Sequence, residues 1–443
     1  MKKLVAWPAW CVPVAVLLTI PVWAQEVTQR DRASAGRSAQ SPRPVAAAPP
    51  VEELVATALE RSPALASLRA RLQAAREMVA PAGALPDLMT SVSLQDAGFP
   101  KWTVGSEEMS MVSVEVQQNL LYPGKRDARR EAAQAEVTTR DREVEQLQRE
   151  LAAQVRSVYG RVYVLDREKR ALDSAHQLLD LLQATSASRY SVGETEQEPV
   201  IKAQLEISRL DERLDDLAAE RRTLVAGLNR LLDRAGDTPL GEVQALPPIA
   251  APGGPWEDTA EDNSAAIAVR QAQVQAAERR LAAARLELKP YLFAASAFGI
   301  RGSLPPVVTL NFGVEWPAWK KDKQIPLVSA AERGVEAAKA DLRDQRASVE
   351  SEVARLRAEW DQAERQMLRY QQAILPQTSA AMDAARIAYL NGRGDFSTLI
   401  EDFRGWLDAR VGLARREADR FAVWARLQLL TAPLEPAGKD RAQ

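Results

Sequence analysis

The chain has 443 residues, only 5% of them aromatic and 27% charged, with a formal charge of −2. Ala, Leu, Glu and Arg dominate, a composition that favours long helices over a thick globular core. The near-neutral charge speaks against a polyanion such as nucleic acid as partner, and the first 24 residues, which carry Lys2 and Lys3 and no acid, leave the remainder more negative still.

Lys2 and Lys3 precede an apolar run from Val12 to Ile20, and Val22-Trp23-Ala24 stands before Gln25. This is the pattern of a signal peptide (1–24) cut after Ala24. Retention of the segment as an anchor is the rival reading, but it is short for a membrane span. The only cysteine, Cys11, lies inside it, so the exported chain is expected to have no thiol, no disulfide and no lipid attachment point. No other stretch approaches ~18 uninterrupted apolar residues, so any membrane contact must be made with strands.

Residues 25–50 lack apolar periodicity and read as a disordered leader. The first repeat is expected over 51–234. It opens with a helix to about Ala80, with Leu54, Ala58, Leu65, Leu68, Leu72 and Val79 toward one side and Pro81, Gly83 and Pro86 ending it. Strands are predicted over 88–97 and 109–120. In the first, Leu88, Thr90, Val92 and Leu94 alternate with Met89, Ser91, Ser93 and Gln95; in the second, Val112, Val114 and Val116 alternate with Ser113, Glu115 and Gln117.

A long helix follows over 124–187. Its larger apolar residues, Val144, Leu147, Leu151, Val155, Val158, Val162, Leu165, Leu172, Leu179 and Leu182, fall mostly at steps of three, four or seven, the narrow seam of a coiled coil. About 60 residues at 1.5 Å each make a rod roughly 90 Å long, too long for a compact domain. Gly193 marks the turn, and a return helix is expected over 197–234, with Pro199 near its start.

A Pro- and Gly-rich linker spans 235–258, and a second repeat is expected over 259–431. Its opening helix, from Asn263 to Leu281, lines up with Arg61 to Val79 when Ser264 is laid on Ser62. Strands are predicted over 291–300 and 307–316, with Val308, Leu310, Phe312, Val314 and Trp316 on one face. A long helix over 327–390 has the seam Val335, Ala338, Leu342, Val349, Val353, Leu356, Trp360, Ala363, Met367, Tyr370 and Ile374. The return helix covers 396–430 and a polar tail 432–443. Two such units point to internal duplication.

The fold class is therefore mainly α with a small β part: helical hairpins plus four amphipathic strands. Four strands cannot close around side chains, because the smallest barrel needs about eight. An open edge in lipid leaves backbone amides unpaired, so several chains must pool their strands.

The duplicated order, the junction Pro123-Gly124-Lys125, and the tip motif Tyr190-Ser191-Val192-Gly193 with its echo from Tyr389 to Gly392 resemble the outer-membrane efflux (TolC-like) family over roughly residues 51–431. The junction from Tyr122 to Glu136 looks most like the heavy-metal efflux branch. The resemblance implies a homotrimer with a twelve-stranded barrel in the outer membrane of a Gram-negative bacterium, and a periplasmic helical tunnel (α-barrel). It implies docking to a periplasmic adaptor (membrane fusion) protein and an inner-membrane pump of the resistance-nodulation-division type. No histidine pair, cysteine cluster, phosphate-binding glycine loop or hydrolase serine motif is present, so neither an enzyme nor a cofactor is expected.

By the same resemblance, the gate carboxylates of the second turn fall at Thr398 and Glu401, with Asp395 and Asp402 as nearby replacements. Glu401 and Asp402 read equally well as solvated acids at the positive end of a helix dipole. An aspartate of the family's closing link falls on Pro199, which departs from the pattern. A substitute link is expected between Tyr389 or Arg393 and Glu194, Glu196 or Glu198. Val192, Gly193, Glu194, Asn391 and Gly392 are the expected adaptor-docking tips. Trp102, Trp316 and Trp319 suit an interfacial aromatic girdle at the strand ends, although for Trp102 a core role fits as well. His176, the sole histidine, has no partner at ligand spacing, and no resident metal site is expected. A periplasmic adaptor and a coiled-coil scaffold without a pore are the alternatives; the chain has one repeat too many and no β-rich flanks around a single hairpin for the first, and the second has no reason to keep one-sided strands.

Overall fold

The computed structural model describes residues 47–251 and 253–434. The expected signal peptide, Cys11, most of the leader and most of the tail lie outside these residues. The last leader residues are built into the fold: Ala48 N–H donates to the Glu242 carbonyl at 2.9 Å, and Pro49 C=O accepts from the Tyr159 hydroxyl at 3.3 Å.

The expected first helix is three pieces: α1 (Val51–Arg61), α2 (Pro63–Glu77) and α3 (Val79–Ala82). Pro63 has no N–H to continue α1 and forces the residue before it out of helical geometry, so Ser62 sits at φ −54°, ψ 119°. The second repeat has the same break. There α6 (Trp256–Asn263) and α7 (Ala265–Leu286) meet at Ser264, at φ −66°, ψ 117°. The linker is correspondingly shorter than the composition suggests. Trp256 already lies in α6 and packs edge-on against Trp360, with ring centroids 6.3 Å apart.

The strands are β1 (Met89–Gln95), β2 (Met111–Leu121), β3 (Tyr291–Arg301) and β4 (Leu304–Glu315). They form one antiparallel sheet in the order β1-β2-β3-β4. Val92, Val114, Phe298 and Val308 stand in one row across the sheet; Thr90, Val116, Ser296 and Leu310 form the next. Because side chains alternate along each strand, all four apolar faces coincide.

The long helix α4 (Lys125–Ser191) is followed by its return α5 (Glu198–Leu231). In the second repeat α8 (Gln324–Arg369) continues through a π-helical turn at Tyr370–Ile374 into α9 (Leu375–Leu390), and α10 (Phe396–Thr431) returns. The turn corrects the expectation of one unbroken helix. Leu151, Val155, Val158, Val162 and Leu165 superpose in pattern on Val349, Val353, Leu356, Trp360 and Ala363, yet the second repeat has one residue more before its tip tyrosine. A π turn absorbs one such residue without breaking the helix. Gly412 of α10 makes room for it: a Cβ there would stand 2.6 Å from the Tyr370 ring.

Four hydrophobic clusters hold the helices side by side. α1, the end of α5 and the linker residues Leu240 and Val243 meet α4 at Val155 and Val162, while α6 and the end of α10 meet α8 at Val353 and Leu356 in the same way. Leu65 and Leu72 pack on Val137 and Val144 near the sheet, and Leu179, Leu182, Leu399 and Phe403 pack toward the tips. Each fully buried leucine contributes about 1.5–3 kcal/mol. Lys125, from the Pro-Gly-Lys junction, is buried where β2 passes into α4. Its Nζ donates to Lys289 O at 2.8 Å, lies 3.4 Å from Glu287 Oε2 and stands over the Tyr291 ring. Desolvation lowers its pKa, with Glu287 partly offsetting the fall. One side chain thereby ties the helix–strand junctions of both repeats together.

Candidate functional site

The two hairpin tips are built alike. In the first, Gly193 N–H donates to Tyr190 O (3.0 Å) and Glu194 N–H to Arg189 O (2.9 Å); in the second, Gly392 N–H donates to Tyr389 O (3.0 Å) and Arg393 N–H to Ala388 O (2.9 Å). These are paired Schellman closures with glycine in the left-handed region, at φ +77° and +67°. Gly193→Ala and Gly392→Ala should each cost about 1–2 kcal/mol through backbone strain alone, because nothing lies within 4 Å of the added Cβ. Thermal melting of the two variants checks this, and equal losses are expected from equal geometry.

Val192, Gly193, Glu194, Asn391, Gly392 and Arg393 are all exposed, at the ends of the helical body. Tyr389 is not. It is 5% exposed, shares a 2.6 Å hydrogen bond with Ser186 and packs edge-on against Phe396. The expected bond from Tyr389 to Glu194, Glu196 or Glu198 is absent among the described residues, because its hydroxyl is turned to α4. Arg189 joins the tips instead, donating to the carbonyls of Tyr389 (2.9 Å) and Leu390. Those carbonyls end a helix, where a cation is favoured. Neither Ser186 nor Arg189 stood out in the sequence; the partner of each is about 200 residues away.

Asp395 is the N-cap of α10, accepting from Ser397 N–H at 3.0 Å and Thr398 N–H at 3.3 Å. It is thus committed to the helix start. Thr398 and Glu401 are exposed and Asp402 is half-buried on the first turns of α10, and neither acid forms an ion pair among the described residues. Farther along, Lys202 donates to Ser397 (2.7 Å), while Glu206 of α5 pairs with Arg404 of α10. Pro199 occupies the first turn of α5, where its missing N–H costs nothing. His176 lies between Asp180 (3.0 Å) and Asp211 (3.3 Å), bridging α4 and α5. No group of three or more His, Cys, Asp or Glu able to hold a metal occurs among the described residues.

At the other end of the molecule the apolar sheet face is uncovered: Val92 is 71% exposed, Leu310 64% and Phe312 80%. The opposite face is small and polar, with Ser93 and Ser113 sharing a 2.7 Å hydroxyl contact. Trp102 lies in the β1–β2 loop, whereas Trp316 and Trp319 follow β4 beside the helices. All three are exposed, Trp102 at one end of the sheet and Trp316 and Trp319 at the other. No helix among the described residues is long and apolar enough to cross a membrane, which places no constraint on strands.

The profile of the family described as outer membrane efflux protein matches residues 54–234. The match covers the first repeat, which is thus similar to the outer membrane efflux protein family. Its fold is similar to that of the outer membrane protein VceC from Vibrio cholerae, at 15% identity over 87% of this chain and 97% of that one, with a TM-score of 0.72. It is also similar to CusC, whose structures concern folding and transmembrane channel formation (15% identity, 87% and 92% covered, TM-score 0.74). The CmeC outer membrane channel of Campylobacter jejuni is a third (11% identity, 86% and 85% covered, TM-score 0.68). At such identities the likeness speaks for the fold. No curated protein sequence matches the chain.

Proposed function

We propose that this chain is an outer membrane efflux protein and serves as the passive exit duct of a tripartite efflux system. Three copies pool their sheets into a twelve-stranded barrel in the outer membrane, and their helices form a tunnel in the periplasm. The observation that carries the reading is the coincidence of four exposed apolar faces in one register, on a sheet whose outer edges, β1 and β4, have no strand partner among the described residues. A sheet in lipid must have its edges paired, and β4 of one copy beside β1 of the next does this. Detergent-dependent extraction from outer membranes as a heat-resistant trimer tests it; a soluble monomer would defeat it.

The tips are the ends at which a periplasmic adaptor docks, with an inner-membrane pump beyond. Near them, three copies of Glu401, with Asp402 beside it, ring the axis and favour cations. Glu401→Ala should weaken the cation dependence of single-channel conductance in planar bilayers, whereas unchanged conductance and selectivity would remove Glu401 from the gate. Metal cations are the proposed cargo, supported by the junction from Tyr122 to Glu136, and they pass without a resident site. Accumulation of toxic metals against organic compounds in cells lacking the protein tests the cargo.

A further inference from the structure

A cavity of about 830 Å³ opens where the helices meet the sheet, between α2, α3 and the first turns of α4. Arg76, Arg126 and Arg130 line it against a wall that includes Val79 and Val137, and Asp141 is its one carboxylate. Arg126 Nε donates to Gly83 O at 2.8 Å, and Arg130 pairs with Asp127 at 2.7 Å. Arg76 has no hydrogen-bond or ion-pair acceptor among the described residues. The neighbouring cavity between α4, α7 and α8 is different: Arg140 and Arg280 there face Glu136, Glu143 and Asp341. The first cavity thus carries a cationic excess that the second lacks.

The cavity lies immediately beneath the apolar strand faces. Gly83 leads into β1, and Gln118 of β2 fixes that lead by donating to Pro86 O at 2.8 Å. At the corresponding end of β4, the exposed Trp316 and Trp319 are followed by Lys320, Lys321 and Lys323, with Asp322 the only acid between them. Aromatic rings and basic chains at one level beside an apolar band suit a lipid headgroup layer.

We propose that this cavity binds the phosphate of an anionic phospholipid, held by Arg76 and Arg126, with the Trp316–Lys323 segment on the same leaflet. The inference rests on the membrane reading above. A free phosphate offers the same charge, but only a lipid also uses the apolar wall and the strand face beside it.

The test is retention of lipid by the full chain, washed in detergent and weighed by native mass spectrometry after exposure to mixed vesicles of phosphatidylglycerol and phosphatidylethanolamine. The wild type should retain phosphatidylglycerol preferentially. Arg76→Gln and Arg126→Gln should each lower that retention about fivefold, and Arg140→Gln, in the mixed cavity, should leave it unchanged. Melting curves identify any variant that has lost its fold, and the surviving single variant then carries the comparison. Equal retention of the two lipids, or no loss in a folded Arg76→Gln or Arg126→Gln variant, overturns the proposal. Full displacement by millimolar inorganic phosphate overturns the lipid assignment in favour of a free-anion site. A wild type that conducts in planar bilayers yet shows no lipid preference removes this site alone; one that never inserts removes the channel reading with it.

Discussion

Asp166→Ala should destabilise the protein by about 3–5 kcal/mol, the range for breaking a buried ion pair from one side. The Asp166 side chain is 3% exposed. It accepts from Arg221 Nε at 2.6 Å and Nη2 at 3.3 Å, and from Val243 N–H at 2.8 Å. Arg221 in turn donates to Leu240 O (3.2 Å) and Gly241 O (2.8 Å), so one carboxylate joins α4, α5 and the linker between the repeats. Its removal leaves a largely buried guanidinium without its counter-ion and an amide without its acceptor, beside the buried Leu240 and Val243. Denaturant titration should show the loss, smaller for Asp166→Asn, which keeps an acceptor for Val243 N–H. A loss below about 1 kcal/mol would mean that apolar packing alone holds the linker.

Leu310→Arg should prevent insertion into the outer membrane, at a cost of about 2–4 kcal/mol per chain for a cation near the bilayer midplane. Leu310 lies mid-strand in β4, between the exposed Val308 and Phe312 of the same face. Asn311→Arg is the matched control. Asn311 stands next in the strand on the opposite face, across from Ala295, where a charge meets water in the proposed pore. Membrane fractionation of the two variants checks the prediction. Equal loss from both would show that the two faces do not divide lipid from water.

The two faces of each strand were legible because a strand shows its faces every second residue. Val308, Leu310 and Phe312 face one way whatever lies beside them. The kink at Ser62 is also written locally, in Pro63, but the apolar seam runs on across it from Leu54 to Leu72 and masks the break. Ser264 has no proline after it, so its kink comes from docking of α6 against α8 and α10.

The remainder depends on residues far apart in the chain. The π turn at Tyr370 needs the notch at Gly412 on another helix. Tyr389 falls at the gate by resemblance to the family, whereas the bond of its hydroxyl to Ser186, about 200 residues away, is set only by the packing of α9 on α4. Trp102 and Trp316 look equivalent as exposed aromatics and lie at opposite ends of the sheet, since β1 runs away from the helices and β4 runs back.

What the amino-acid order determined by itself is the inventory: two repeats, helices longer than any compact core, glycine-closed tips, and four strands each greasy on one side. Backbone stereochemistry and side-chain periodicity act over a few residues, so these survive without knowledge of neighbours. Only the tertiary structure decided which strand pairs with which, where the helices kink, and which tip side chains are already bonded. Those outcomes depend on contacts that the chain makes only after it has folded back on itself.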